Sequence, residues 1–358
     1  MSKLKVAVVG TGSICKVHMD SWVKRDDVEV IACADINFEK AKAFAEKWNI
    51  PQAFDCVEAL LKGSDPDIVD VCTWTAAHVP VSVAAINAGK HVICEKPTAD
   101  SLAAAKKLRK AVKKNGVVFQ LAVPNRYDKR AAQIRAMVDA GEFGEVFFGK
   151  TAYTRQRGVP GGWFSCSKYS GGGPLLDIGV HRIDLAWYLM GCPKPVSASA
   201  SASYRIGDYR TSHEIIESDG AISDNNAWCG EPVADYKFDI EDSVSGFVRF
   251  ENGATLMFEA SWTFNGPNLT MTQIAGDKAG ALLKDTFEIF RAEGDKVVVE
   301  TPETEKGNMF DSEIDHFLEC IREGKTPRSD IEDAVTIEAI LCGIYESARK
   351  GKEIKIKL

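Results

Sequence analysis

Val6-Ala7-Val8-Val9-Gly10-Thr11-Gly12-Ser13-Ile14-Cys15-Lys16-Val17-His18 decides the fold of this chain. A short apolar run breaks into two glycines and then resumes with helical character. It reads as a buried strand, a tight turn and a helix N-terminus. Gly10 permits the turn, and Gly12 lets backbone approach a phosphate. Ser13 and Ile14 open a helix whose first N–H groups and positive dipole end suit a dinucleotide pyrophosphate. The third fingerprint position carries Cys15 where glycine or alanine is usual; cysteine is still small enough to pack helix against strand.

A second apolar run, Val28 to Ala34, ends in Asp35. An acid about 20 residues past the glycine turn meets the adenosine ribose, accepts its hydroxyl hydrogen bonds and repels a 2′-phosphate. The expected cofactor is therefore NAD, with NADP disfavoured.

At 358 residues the chain is too long for one ordinary core and suits two domains. Its net charge of −7 comes without blocks of like charge, so neither nucleic acid nor an anionic membrane is an expected partner. No stretch is long and apolar enough to span a bilayer, and Met1 to Lys5 carries no signal pattern, which leads us to expect a cytoplasmic protein. Ten cysteines form no CxxC pair, and Cys33, Cys72 and Cys94 lie in apolar runs. Reduced, buried thiols are expected, with no metal site.

Up to residue 123 strands and helices alternate, the pattern of a parallel doubly wound Rossmann sheet. Helices are expected near 12–25, 37–48, 55–62, 79–88 and 100–115, and strands at 4–9, 28–34, 68–72, 91–94 and 117–121. From 124 to 358 the rhythm changes. A helix is expected from Arg126 to about Ala140, and strands near Val146 and at about 196–204, 242–250, 254–264, 269–275, 280–284 and 295–300. Glu251-Asn252-Gly253 reads as a hairpin turn. Helices return at 310–324 and 331–350, the latter with Ile337, Ile340, Leu341 and Ile344 on one face that packs back on a domain surface. This second domain reads as α+β with a large, mostly antiparallel open sheet. Between Tyr204 and Ile240 the chain is polar and aperiodic, which suits functional cover or an oligomer contact.

Four stretches concentrate chemistry. Glu95, Lys96 and Pro97 follow an apolar strand, at the carboxyl end where open α/β sheets bind ligands. Thr73, Trp74 and His78 form another strand-to-helix loop at that edge and are expected to line the cofactor. In Gly171-Gly172-Gly173-Pro174-Leu175-Leu176-Asp177-Ile178-Gly179-Val180-His181, helical spacing puts Asp177 and His181 one turn apart, with Asp184 three residues on to hold the imidazole. A histidine with a carboxylate neighbour suits general acid/base work; a structural pair on an interior helix fits the same spacing. Between Tyr153 and Phe164, Arg155 and Arg157 alternate along a strand and Trp163 offers a flat stacking face, although surface arginines and a packed tryptophan fit as well.

Together these motifs resemble the Gfo/Idh/MocA family of oxidoreductases: Gly10-x-Gly12 with His18, Asp35, Ala88 to Pro97, the glycine-rich stretch to His181, and the C-terminal Tyr345 to Lys352. The resemblance implies hydride transfer between NAD and a secondary hydroxyl of a sugar, glycoside (at C3 among other carbons) or cyclitol, held between the domains. Lys96, Asp177 and His181 match the family's catalytic positions. His181 takes the hydroxyl proton, Lys96 stabilises the developing alkoxide and Asp177 orients the substrate. Pro97 matches a proline that is often cis. Arg126, Arg155, Arg157 and Trp163 join the expected substrate contacts, and the open sheet implies a homo-oligomer. Two other functions stand beside it: a redox-neutral glycosidase that uses the same residues for transient C3 oxidation and elimination, and a non-catalytic sugar-sensing regulator, which has no need of the full proton-transfer set.

Overall fold

A computed structural model describes residues 3–160, 162–207 and 238–358. The first half alternates β1 (Leu4–Val9), α1 (Ser13–Trp22), β2 (Val28–Ala34), α2 (Phe38–Trp48), β3 (Gln52–Phe54), α3 (Val57–Gly63), β4 (Ile68–Val71), α4 (Thr75–Asn87), β5 (His91–Glu95), α5 (Leu102–Asn115) and β6 (Phe119–Ala122). Every strand pair is parallel, and the strand order is β3-β2-β1-β4-β5-β6. This is the doubly wound dinucleotide-binding arrangement, whose direction reverses between β1 and β4. Its strands read as continuous apolar runs because helices cover both faces. The edge strand β3, only three residues long, was not expected from the sequence.

The second half adds α6 (Lys129–Asp139), β7 (Val146–Thr154), the short α7 (Ser167–Ser170), α8 (Val180–Leu189), β8 (Pro195–Ser203), β9 (Ser243–Phe250), β10 (Thr255–Ser261), β11 (Leu269–Gly276), β12 (Ala279–Leu283), β13 (Phe287–Glu293) and β14 (Lys296–Glu300), then α9 (Met309–Glu323), α10 (Ile331–Lys350) and β15 (Ile354–Lys355). Among the described residues β7 to β15 form one nine-stranded sheet, antiparallel except where β7 runs beside β10. Glu251 to Gly253 turns β9 into antiparallel β10, as expected. The helix expected to begin at Arg126 begins at Lys129 instead. Pro124–Tyr127 is a separate 3₁₀ turn, and the Asp128 carboxylate caps α6 by accepting from the Arg130 N–H. Most of the 205–240 segment lies outside the described residues.

The closing helices tie the halves together. In α10, Ile331, Ala334 and Val335 join the core of the first sheet, whereas Ile337, Ile340, Leu341 and Ile344 join that of the second. In α9, Ile314, Phe317 and Leu318 pack on the opposite face of the first sheet. The nine described cysteines are free thiols, five of them buried. No described helix is long and apolar enough to cross a membrane.

Candidate active site

The turn after β1 is shaped by its glycines. Gly10 sits at φ +90°, and a Cβ there would stand 2.6 Å from the Cys72 carbonyl oxygen, so β4 leaves no room for a side chain. A Cβ on Gly12 would meet nothing within 4 Å, so this glycine faces open space. Gly12 is also the residue before α1 and contributes no side-chain cap to that helix. At the end of β2, Asp35 accepts from the Thr11 N–H at 2.9 Å and the Thr11 hydroxyl at 2.8 Å, and its other oxygen accepts from the Asn37 N–H at 2.9 Å. The carboxylate thus braces the glycine turn from the place where a ribose would lie. Beyond β4 the Thr73 hydroxyl is buried without a hydrogen-bond partner on a cavity wall. An open glycine turn, a strand-end carboxylate and a waiting hydroxyl along one sheet edge fit a dinucleotide.

That cavity, of about 320 Å³, lies between the two sheets. Ile14, Thr73, His78, Glu95, Lys96 and Pro97 line it from the first half; Arg155, Trp163, Asp177 and His181 line it from the second. The Lys96–Pro97 peptide bond is cis. Lys96 Nζ donates to the Asp177 carbonyl oxygen at 2.6 Å and reaches its carboxylate at 3.3 Å. The other Asp177 oxygen accepts from the indole of Trp262 at 2.9 Å, a fully buried residue just past β10. His78 spans the Thr73 and Pro97 carbonyl oxygens, at 2.9 and 2.7 Å, and so ties the two cofactor-side loops together.

Under Glu95 lies an ion cluster closed off from solvent. His18 on α1 places Nδ1 2.9 Å from Asp70 and Nε2 3.1 Å from Glu95, and the Trp22 indole donates to Asp70 at 2.8 Å. Burial alone would strip the His18 ring of its second proton, but the charges and hydrogen bonds of Asp70 and Glu95 outweigh it and raise the pKa well above 6.5. The imidazolium then donates to both carboxylates. Glu95 passes the order on, since its second oxygen accepts from the Lys96 backbone N–H at 3.1 Å.

His181 has the opposite surroundings. Its Nδ1 is shielded from solvent and has no hydrogen-bond partner. Burial, then the charges of Lys96, Arg182 and Arg155, push its pKa well below 6.5. The expected carboxylate neighbour is absent: Asp184 is turned into the interior and bound by Arg126 through two hydrogen bonds of 2.9 and 2.6 Å. The ring is a neutral imidazole, which is the form a proton acceptor needs.

Three other expected contacts are relocated. Arg126 is fully buried and does not line the cavity; its guanidinium is committed to Asp184, Asp333 and the Arg328 carbonyl oxygen. Arg155 and Arg157 do not share a strand face, because β7 ends at Thr154. Arg155 lines the cavity, while Arg157 bonds the Gln156 carbonyl oxygen and Asn265 outside it. Trp74 directly precedes α4 and lies edge-on to Tyr169, also outside the lining.

Known proteins match along the whole chain. Residues 4–123 match the NAD-binding Rossmann model of an oxidoreductase family, and residues 131–282 match the GFO/IDH/MocA C-terminal domain. A D-glucoside 3-dehydrogenase of Escherichia coli (strain K12) is 30% identical over 359 residues, covering 99% of this chain and 98% of that protein. The chain belongs to the GFO/IDH/MocA family. An NAD⁺-dependent scyllo-inositol 2-dehydrogenase of Bacillus subtilis (strain 168) is 25% identical over 99% of this chain and 96% of its own length. A levoglucosan dehydrogenase in complex with NADH and levoglucosan has the same fold, with a TM-score of 0.85 at 22% identity and complete coverage of both chains. The protein is therefore an oxidoreductase that uses NAD.

Several members of this site were not legible in its sequence. Trp262 reaches Asp177 across 85 residues of chain. Glu241, buried between the domains' glycine loop and α10, accepts from the Gly173 and Leu175 N–H groups and the Tyr345 hydroxyl. Arg182 follows His181 directly, and simple helical spacing turns it about 100° away. A single π turn at Leu175–Gly179 precedes α8, from which His181 and Arg182 both line the cavity.

Proposed function

We propose that this protein oxidises a secondary hydroxyl of a sugar, glycoside or cyclitol, with Lys96, Asp177 and His181 as the catalytic residues. The observation that carries the reading is that one cavity gathers a lysine from the first half and an aspartate and a neutral histidine from the second. When bound, NAD⁺ supplies the two-electron acceptor for the oxidation. Neutral His181 accepts the hydroxyl proton. Lys96, pinned to the Asp177 carbonyl oxygen, donates a hydrogen bond to the oxygen as negative charge develops on it. Asp177, fixed from behind by Trp262, accepts from a substrate hydroxyl and sets the ring's orientation. Trp163 and Phe164, stacked with ring centres 3.9 Å apart, offer the apolar wall on which a sugar face lies. The names of the relatives, a glucoside and an inositol dehydrogenase, support a polyhydroxylated ring as substrate.

The test is absorbance at the NADH band after mixing the protein with NAD⁺ and inositols, free aldoses and glycosides. A rise with one class supports the reading and names the class. Silence throughout, with or without glycoside cleavage, contradicts net oxidation.

The working form we propose is a homo-oligomer in the cytoplasm. Free thiols suit that reducing compartment. Met257, Val297 and Val299 stand exposed on one face of the nine-stranded sheet, and such an uncovered face suits a second copy. Sedimentation at micromolar concentration giving a single chain's mass of 39.1 kDa contradicts this.

A further inference from the structure

The substrate end of the cavity holds more positive charge than its own carboxylates answer. Lys96 is paired with Asp177. Arg155 and Arg182 also line the cavity, and neither makes a salt bridge among the described residues. Their nearest acids are already engaged. Asp177, the acid whose charge reaches Arg155, gives one oxygen to Lys96 and the other to Trp262. Asp128, the acid whose charge reaches Arg182, is bound by Arg130 through hydrogen bonds of 3.0 and 2.7 Å.

Both guanidinia pack on one aromatic ring. The Arg155 carbon lies 4.9 Å and the Arg182 carbon 5.7 Å from the centre of the Tyr153 ring, which stacks against both. Arg155 donates to the Tyr153 hydroxyl at 2.9 Å, which fixes its plane. Arg182 Nε is buried with no hydrogen-bond partner. A buried, unpaired guanidinium N–H is costly, and a ligand acceptor removes that cost. The dinucleotide phosphates do not explain the pair, since the pyrophosphate turn at Gly10 and Gly12 belongs to the other half of the molecule.

We propose that the substrate of this oxidoreductase carries a carboxylate, held by Arg155 and Arg182, so that a hexuronic acid or its glycoside is preferred to the neutral sugar. A carboxylate matches the planar fork of a guanidinium in two parallel hydrogen bonds, and its charge is best rewarded where water is scarce. Trp163 and Phe164 then take the ring while the two arginines take the acid. This rests on the proposed sugar oxidation, and it identifies which sugars.

The test uses the NADH-loaded protein, which cannot oxidise the ligand. Calorimetry compares methyl glucoside with methyl glucuronide, and methyl galactoside with methyl galacturonide. The expected result is that in at least one series the acid binds about tenfold more tightly than its neutral partner, with the advantage shrinking as salt rises. Arg155→Gln and Arg182→Gln are each expected to reduce that acid-to-neutral ratio about tenfold. Neutral sugars binding as well as the acids in both series, in the unaltered protein, overturns the inference whatever the variants do. Turnover with NAD⁺ separates the two proposals. An acid that binds preferentially without yielding NADH leaves the carboxylate site standing and sinks the oxidation. Faster oxidation of the neutral partner, with no preference in binding, does the reverse.

Discussion

Two histidines bear on the Glu95-Lys96 step in opposite electrical states. His18, below it, is enclosed by two carboxylates, one of them the indole-bound Asp70, and each ring nitrogen has a partner. His181, on the cavity side, is surrounded by cations and has an unpartnered Nδ1, and the neighbouring Arg182 Nε is unpartnered too. The contrast separates two kinds of polar interior. A satisfied network fixes position, because every group in it loses something by moving. An unsatisfied one on a cavity wall leaves groups that a ligand can complete. The lower cluster therefore reads as the scaffold under Lys96, and the upper one is what we assign to the proposed reaction.

The comparison breaks most visibly on the upper side. Lys96→Ala and His181→Ala are each expected to lower kcat by roughly 10²- to 10⁴-fold while NADH fluorescence titration still reports binding. Near-normal turnover in either variant removes that residue from the mechanism.

On the lower side the loss is one of stability. His18→Leu leaves Asp70 and Glu95 buried without their cation, and urea unfolding is expected to show a deficit of about 3–5 kcal/mol. The sign with pH follows from the raised pKa. The His18 contribution is fully present below 6.5, the value in an unfolded chain, and is lost as pH rises through the higher folded value. The gap between the two proteins should thus narrow in alkaline buffer; a gap that widens contradicts an imidazolium.

Asp35→Ala tests the cofactor side with a smaller effect. Loss of the brace on Thr11 and of the ribose acceptor is expected to weaken NAD binding about tenfold and to reduce the preference over NADP. An unchanged preference in fluorescence titrations with both cofactors assigns Asp35 to the turn alone.

The smallest effect is in the pH profile. Since His181 is neutral well below the ordinary histidine range, kcat/KM for oxidation should stay level as pH falls through 6.5. A steep acid limb centred there indicates an unperturbed base.

Much of this was readable in the chain because the signals are local. The glycine turn, the strand-end Asp35, Glu95-Lys96-Pro97 and the Asp177-to-His181 spacing are each local in the chain; the structure sets the first three along the carboxyl edge of the first sheet and the last across the cavity from Lys96. Partners chosen by tertiary packing were not readable. Asp184 has helical spacing from His181, yet its partner Arg126 lies 58 residues away, and nothing local reveals that pair. Strand β13 was missed between two expected strands, and β3 was hidden by its length and by Pro51 before it. Arg182 was not singled out, because helical spacing turns it about 100° from His181.

The most direct measurement is nitrogen NMR of the histidine side chains in the ligand-free protein, with His18→Leu and His181→Ala used to assign the two rings. The account predicts that at neutral pH the His18 ring carries two protons and the His181 ring one, and that His18 keeps its second proton well above 6.5 while His181 takes one up only well below it. Two rings titrating together near 6.5, or a doubly protonated His181 at neutral pH, would contradict it.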